Sequence, residues 1–425
     1  MTRIFYLVLA ILLAGCSADT GSPKTASDMN YPDIPVSYPT TATTEVTDDY
    51  HGTAVADPYR WLEDDNAENT KAWVGEQNKV TFGYLEQIPF RKAIEDRLTE
   101  LVNYPRLSSP FKVGDYYFFS KNDGLQNQSV IYYQQGLDGE PKVFIDPNAL
   151  NEDGTTSISL LGASKDKKYM AYSRSDAGSD WRKIYVREIA TNTDLEDELE
   201  WVKFSGAGWY KDGFFYSRYP APAPGEELKG NNQFHSVYYH KLGTGQDEDQ
   251  LVFRNDDNPG YYHYGGTTEE EDYFIMYEAP GTDGFATYYA TLDGNAIPQK
   301  KDFVALFPGT ENKSSIVHTE GDEFWVRTDI EAPNYRLVKL DTNKPSSDNW
   351  VDILPNSENL LQSVSTGGGQ FFANYLEKAT DRYYRMNADG SERREIKLPG
   401  LGSAGGFGGE KDAEELFYVF NSFTY

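Results

Sequence analysis

The sequence predicts a mainly β protein: a seven-bladed β-propeller, its last blade incomplete, preceded by α-helices. Three observations carry this. Aromatic residues make up 15% of the chain, with 32 Tyr and 23 Phe, and such side chains pack well on a pleated, half-buried surface. Strand-like cores recur along the chain after Pro105 at intervals of 44 to 61 residues, around the length of a four-stranded propeller blade. Helical periodicity of comparable strength is confined to one stretch before Pro105.

The first sixteen residues, "MTRIFYLVLAILLAGC", read as an export signal. Arg3 gives a positive start, Ile4 to Leu13 an apolar core too short to span a bilayer, and Ala14 and Gly15 a small-residue cleavage site. Leu13-Ala14-Gly15-Cys16 resembles the lipobox of bacterial lipoproteins, which implies that Cys16 is the lipidation site and the membrane anchor. Cys16 is the single cysteine of the chain, so no disulfide is expected. Ser17, where some lipoproteins carry an acidic residue, is compatible with transfer to the outer membrane. Residues 17–30, "SADTGSPKTASDMN", are small and polar and read as a flexible tether.

The character changes from about residue 31. Trp73, Val80 and Tyr84 share one helical face, and Phe90, Ile94, Leu98 and Leu101 another. Asn66 is placed to cap the first helix and Pro89 to start the second. Tyr104-Pro105 ends the helical stretch. These apolar faces call for a packing partner, and nothing later in the sequence offers one of helical period.

Residues 106–425 hold seven alignable strand cores: "YFFS" at Tyr117, "MAYS" at Met170, "FFYS" at Phe214, "IMYE" at Ile275, "FWVR" at Phe324, "FFAN" at Phe371 and "FYVF" at Phe417. Six are followed by a second strand that runs into a turn, such as "IYYQQGLDG" and "SVYYHKLGTG"; the seventh is not. Each module therefore reads as a hairpin-based sheet, and the last as a blade cut short. A two-sheet sandwich is the competing fold, but modules this long and regular favour radial repetition.

Composition narrows the function. Asp and Glu total 67 against 39 Lys and Arg, a net charge of −28, which repels a phosphate backbone and makes nucleic acid an unsuitable partner. The five histidines, His51, His235, His240, His263 and His318, form no i, i+4 pair with an acidic third ligand, so no metal and no cofactor is implied. The acidic runs "TTEEED" and "GQDEDQ" lack the spacing of a calcium loop and fall at expected blade turns. A nucleophile elbow needs Gly-x-Ser-x-Gly; the nearest approach, "LGSAG" at Leu401–Gly405, has Leu401 in place of the first glycine, and no histidine follows Ser403. A catalytic carboxylate pair cannot be read from spacing in a fold that converges at its centre.

The collinear segments "YPDIP", "DYHGTAVADPYRWLED", "TKAWVGEQN", "LVNYP", "GLQNQSVIYYQ", "AGSDWRKIYVREI", "VKFSGAGWYKDGFFYSRYP" and "APNYRL" resemble the prolyl oligopeptidase family of serine peptidases, from Tyr31 to Tyr425. The resemblance implies a two-domain enzyme that cleaves short peptides on the C-terminal side of proline. An α/β-hydrolase domain carries the Ser-Asp-His triad, and a seven-bladed propeller inserted near its N-terminus restricts entry through a central channel. It assigns residues 31–105 to the hydrolase domain and 106–425 to the propeller, and leaves the catalytic residues outside this chain. It also implies a monomer when complete, short proline-containing peptides as substrates, and the hydrolase domain of the same gene product as partner of the helices. Two positions match substrate-lining residues: Phe204, in "VKFSGAGW", and Tyr264, in "YHYGG". An aromatic in a blade is ordinarily core, so the resemblance, not the spacing, singles these out. Expected localisation is periplasmic, lipid-anchored. The alternative is a non-catalytic lipid-anchored propeller that binds a peptide, glycan or protein on its open face.

Overall fold

The computed structural model describes residues 33–423, apart from residues 229 and 295. Cys16 and the tether lie outside the described residues. Contacts divide the chain into two compact units, one ending at Glu100 and the other beginning at Leu101. No helix among the described residues is long and apolar enough to cross a membrane.

The first unit begins with a hairpin that pairs Thr47–Tyr50 with Thr53–Ala56. Arg60 braces it: its guanidinium pairs with Asp48 and, at 2.7 Å, with Asp57. Two indoles pin the preceding extended segment, Trp61 Nε1 donating to the Ala42 carbonyl and Trp73 Nε1 to Thr41 Oγ1. Helix α1 spans Glu68–Glu86 and helix α2 starts at Arg91 and ends at Val102. Both starts differ from expectation. The N-cap of α1 is Ala67, which has no side chain to give, and Asn66 stands one position too early, its amide donating to Asp65 instead. The Phe90 carbonyl accepts the first bond of α2, from the Ile94 amide, so Pro89 lies just outside the helix. Phe90, Ile94, Leu98 and Leu101 are all exposed, the last three more than half.

In the second unit the sheets follow one another along the chain. Five are four-stranded meanders, and the first, between Arg106 and Ile145, has a fifth short strand. From the second sheet on, every predicted core is the second strand of its sheet, and in the first it follows two short strands that both pair with it. Every predicted follower is its antiparallel neighbour: Tyr117 faces Gln134, Phe214 faces His240 and Phe371 faces Met386. The first strands of successive sheets lie side by side; Trp209 Nε1 donates to the Gly162 carbonyl and Thr267 Oγ1 to the Trp209 carbonyl. Between blades three and four the backbones approach so closely that a Cβ on Gly208 would meet Gly266 Cα at 3.2 Å. This is a β-propeller.

The core strands read as continuous apolar runs because both faces of each sheet are covered by a neighbouring sheet. Phe118, Met170, Phe214, Met276 and Phe324 are fully buried. The apolar clusters accordingly sit between sheets. One joins Phe118 and Phe144 of the first blade to Met170 and Tyr172 of the second; another joins Phe215 and Tyr239 of the third to Phe274 and Met276 of the fourth.

The blade count departs from the expected seven. The described residues form six complete blades, and the seventh module contributes only a hairpin, Ser403–Gly406 paired with Tyr418–Asn421. Its core strand finds the strand before it and no follower. Ser403 starts the first strand of that hairpin, so "LGSAG" runs into a strand, not a strand-to-helix elbow.

Candidate functional site

In a meander the connections alternate between two ends. Links from second to third strand, and from the fourth strand to the next blade, leave the propeller at one end; links from first to second strand leave at the other. The two ends differ in chemistry.

The first end carries an aromatic ridge across blades two to four. Trp181 comes from the second-to-third link of blade two, Trp201 from the end of its fourth strand, Phe204 from the crossover to blade three, Tyr219 and His235 from the second-to-third link of blade three, and Tyr262 from the start of blade four. Trp181 meets Trp201 and Tyr219 edge-on, with ring centroids 5.6 and 6.0 Å apart. Tyr219 lies 4.6 Å from the His235 ring, and Phe204 lies 5.4 Å from Tyr262. Lys203 places its ammonium 3.9 Å over the Trp181 ring, a contact that holds a cation against an aromatic face. Trp181 Nε1 also donates to the Glu227 carbonyl at 2.7 Å, tying down the long 219–235 link.

Phe204 sits on this ridge with its side chain 63% exposed and φ at 51°. Tyr264 is on the inner strand of blade four, two residues after Tyr262 and therefore on the same strand face. Its ring packs 5.4 Å from Tyr277, and burial pushes its phenol pKa up. Phe204 is thus an exposed apolar surface, whereas Tyr264 is a largely covered one at the base of the same strand. Sequence reading missed Trp181, Tyr219 and Tyr262. Trp181 lay inside the segment "AGSDWRKIYVREI", but nothing in its spacing tied it to a ridge assembled from links some 80 residues apart in sequence.

The opposite end is charged. The "TTEEED" turn is engaged rather than merely solvated: Lys165 Nζ donates to the Thr268 and Glu269 carbonyls, the Lys411 amide donates to Glu269 Oε1 at 2.6 Å, and Lys411 forms an ion pair with Glu270. Lys167 pairs with Glu410. Turns of blades two and four and the link of the last hairpin meet there. A cavity of about 440 Å³ opens among them, lined by Glu269, Glu270, His318, Thr319 and Lys411.

A third polar group is fully buried. His240 Nδ1 lies 2.7 Å from Asp249 and its Nε2 lies 2.9 Å from Asp197. Burial works against a charged imidazole, but the hydrogen bonds and charges of the two carboxylates outweigh it and push the pKa to about 9. Asp249 belongs to "GQDEDQ", a turn expected to be solvated, yet its carboxyl is wholly covered. The hydroxyl that joins this group is the Tyr216 phenol, bonded to Asp249. The arrangement ties blade two to blade three and presents no alcohol or thiol nucleophile to the histidine.

The propeller thus carries an aromatic ridge at one end and a charged cluster at the other. The chain belongs to the prolyl oligopeptidase family: the family described as "Prolyl oligopeptidase, N-terminal beta-propeller domain" matches residues 38–425. Among curated relatives, a prolyl endopeptidase of Elizabethkingia meningoseptica is 43% identical over 387 residues, 91% of this chain and 54% of that protein. A prolyl endopeptidase of Elizabethkingia miricola is 43% identical over 419 residues, 98% of this chain and 57% of that protein. A solved structure from a study of "Two Prolyl Endopeptidases: Role of Inter-Domain Dynamics in Catalysis and Specificity" is 30% identical with a TM-score of 0.81, and the match covers 91% of this chain and 57% of that one. The chain therefore spans a little over half the length of the relatives it matches. These likenesses do not favour the non-catalytic alternative.

Proposed function

We propose that this chain is the export signal, N-terminal helical segment and gating propeller of a lipid-anchored prolyl oligopeptidase. The complete gene product hydrolyses short peptides on the C-terminal side of proline by acyl transfer through a serine nucleophile. The observation that carries the reading is the family match over residues 38–425. The triad lies outside these 425 residues, in an α/β-hydrolase domain whose surface covers the exposed face of Ile94, Leu98 and Leu101. In this reading residues 31–105 belong to that domain, residues 106–425 are propeller, and the final hairpin is the inner half of a seventh blade. Phe204 and Tyr264 line the apolar subsite upstream of the proline. The charged end narrows the channel so that only short peptides pass. Cys16 carries the lipid that holds the periplasmic product at the membrane, and the complete product is a monomer.

The test compares the 425-residue chain with the full-length gene product on a chromogenic proline peptide. Turnover is expected from the full-length product alone and is expected to disappear with a serine-directed inhibitor. Steady hydrolysis by the purified 425-residue chain, or none by the full-length product, refutes the reading.

A further inference from the structure

The crossover at residues 203–207 holds a conformation that its sequence resists. Phe204 lies in the left-handed region at φ 51°, which is unfavourable for a bulky L-residue. It also keeps a large apolar ring exposed. Such strain persists only where the surroundings over-determine it, and it clusters at functional sites.

The surroundings do over-determine it. On one shoulder of Phe204 the Lys203 carbonyl accepts from His235 Nε2 at 2.9 Å; on the other, Ser205 Oγ accepts from the Ser217 amide at 2.8 Å. The tautomer of His235 is dictated by backbone. Its Nδ1 accepts the His263 amide N–H at 2.9 Å, so the proton sits on Nε2 and points at Lys203. His263 is fixed in turn, its Nδ1 facing the His235 carbonyl and its Nε2 lying 2.8 Å from Glu278 Oε2, a carboxylate oxygen that also accepts from Asn255. His235 and His263 are buried, and burial holds the His235 pKa down at about 4. A buried relay of Glu278, His263 and His235 thus ends on the one carbonyl that precedes the strained, exposed phenylalanine.

We propose that His235 is the positioning residue of the Phe204 turn, its Nε2–H fixing the Lys203 carbonyl so that the Phe204 ring is presented to an apolar side chain of the peptide upstream of the proline. This rests on Phe204 lining that subsite. His235 touches no substrate; it acts through Lys203 and Phe204.

The experiment uses the full-length gene product and two chromogenic peptides that differ only in phenylalanine or glycine upstream of the proline. Phe204→Ala tests the underlying reading: the KM preference for the phenylalanine peptide is expected to fall about tenfold, the scale of one lost apolar contact. His235→Phe, which keeps the volume and removes the donor, and Ser205→Ala, which loosens the other shoulder, are each expected to cost roughly three- to tenfold of the same preference. His235→Gln, which restores a donor, is expected to recover it, and His235→Phe added to Phe204→Ala is expected to change nothing further. An unchanged preference in Phe204→Ala overturns the subsite reading itself. A preference lost in Phe204→Ala but kept in folded His235→Phe overturns the positioning role alone. If His235→Phe does not fold, His235→Leu, which also removes the donor, decides, and an unchanged preference there overturns the role.

Discussion

His240 carries charge where burial alone would remove it, and that gives stability a pH dependence of definite sign. Its folded pKa, about 9, lies above the unfolded value near 6.5. The Asp197–His240–Asp249 contribution is therefore fully present below pH 6.5 and is lost as pH rises through 9. His235 works in the opposite direction. Its folded pKa is depressed to about 4, so the unfolded chain takes up a proton first and stability falls as pH drops from 6.5 towards 4. Urea unfolding of the 425-residue chain between pH 6 and 9.5 is expected to show falling midpoints, and His240→Gln to flatten that slope. Asp197→Asn, which leaves a buried cation with one partner fewer, is expected to cost about 3–5 kcal/mol at pH 7. A loss below 1 kcal/mol would show that the imidazole is not charged in the folded state.

At the scale of elements, helix α2 tests what the exposed faces are for. Replacing Ile94 and Leu98 by Glu is expected to leave the unfolding midpoint of the 425-residue chain within about 0.5 kcal/mol, since both are already in water. The same pair is expected to cost several kcal/mol, or soluble yield, in the full-length product, where a covering surface would have to bury two carboxylates. Equal effects in both proteins would remove the case for a covering domain. The elements also show what sequence reading reaches. The second strands were legible because burial on both faces turns them into unbroken aromatic and aliphatic runs, as at Phe214 to Tyr216. The helix starts were not, because a cap depends on one residue of register, which separates Asn66 from Ala67. Nor was the register slip at the start of the strand that follows each core, at Ile131, Val237, Thr287 and Leu337. It recurs in four blades but leaves no glycine or proline to announce it. Phe204 was reached only through family resemblance. The ridge around it is assembled by topology, and the histidine relay behind it joins positions whose spacing carries no period.

For the whole molecule, the two ends of the propeller predict separable behaviour. Lys411→Glu and Lys167→Glu put like charges beside Glu270 and Glu410. In the full-length product they are expected to raise kcat/KM for peptides longer than the channel normally passes by a factor of about three to ten, and to leave the shortest substrates unaffected; the factor corresponds to roughly 1 kcal/mol. Because these pairs are partly exposed, 1 M salt, where the screening length is about 3 Å, is expected to reproduce part of the effect. No change with peptide length in either condition would detach the charged end from size selection. Cys16→Ser is expected to move the product from the membrane fraction to the soluble fraction without changing kcat. Retention at the membrane would point to a different anchor.

The placement of the apolar clusters between sheets, rather than within them, bears on how such a ring changes over evolutionary time. Each sheet contributes half of two seams. Duplication or deletion of a sheet carries half of one seam and half of the next, and re-forming a seam needs facing pairs such as Phe215 with Phe274 or Trp325 with Phe371. Exchange of a single strand between related propellers breaks two seams and gains none. Substitution in the links at the two ends, where the ridge and the charged turns are built, can therefore leave the apolar wall between blades standing.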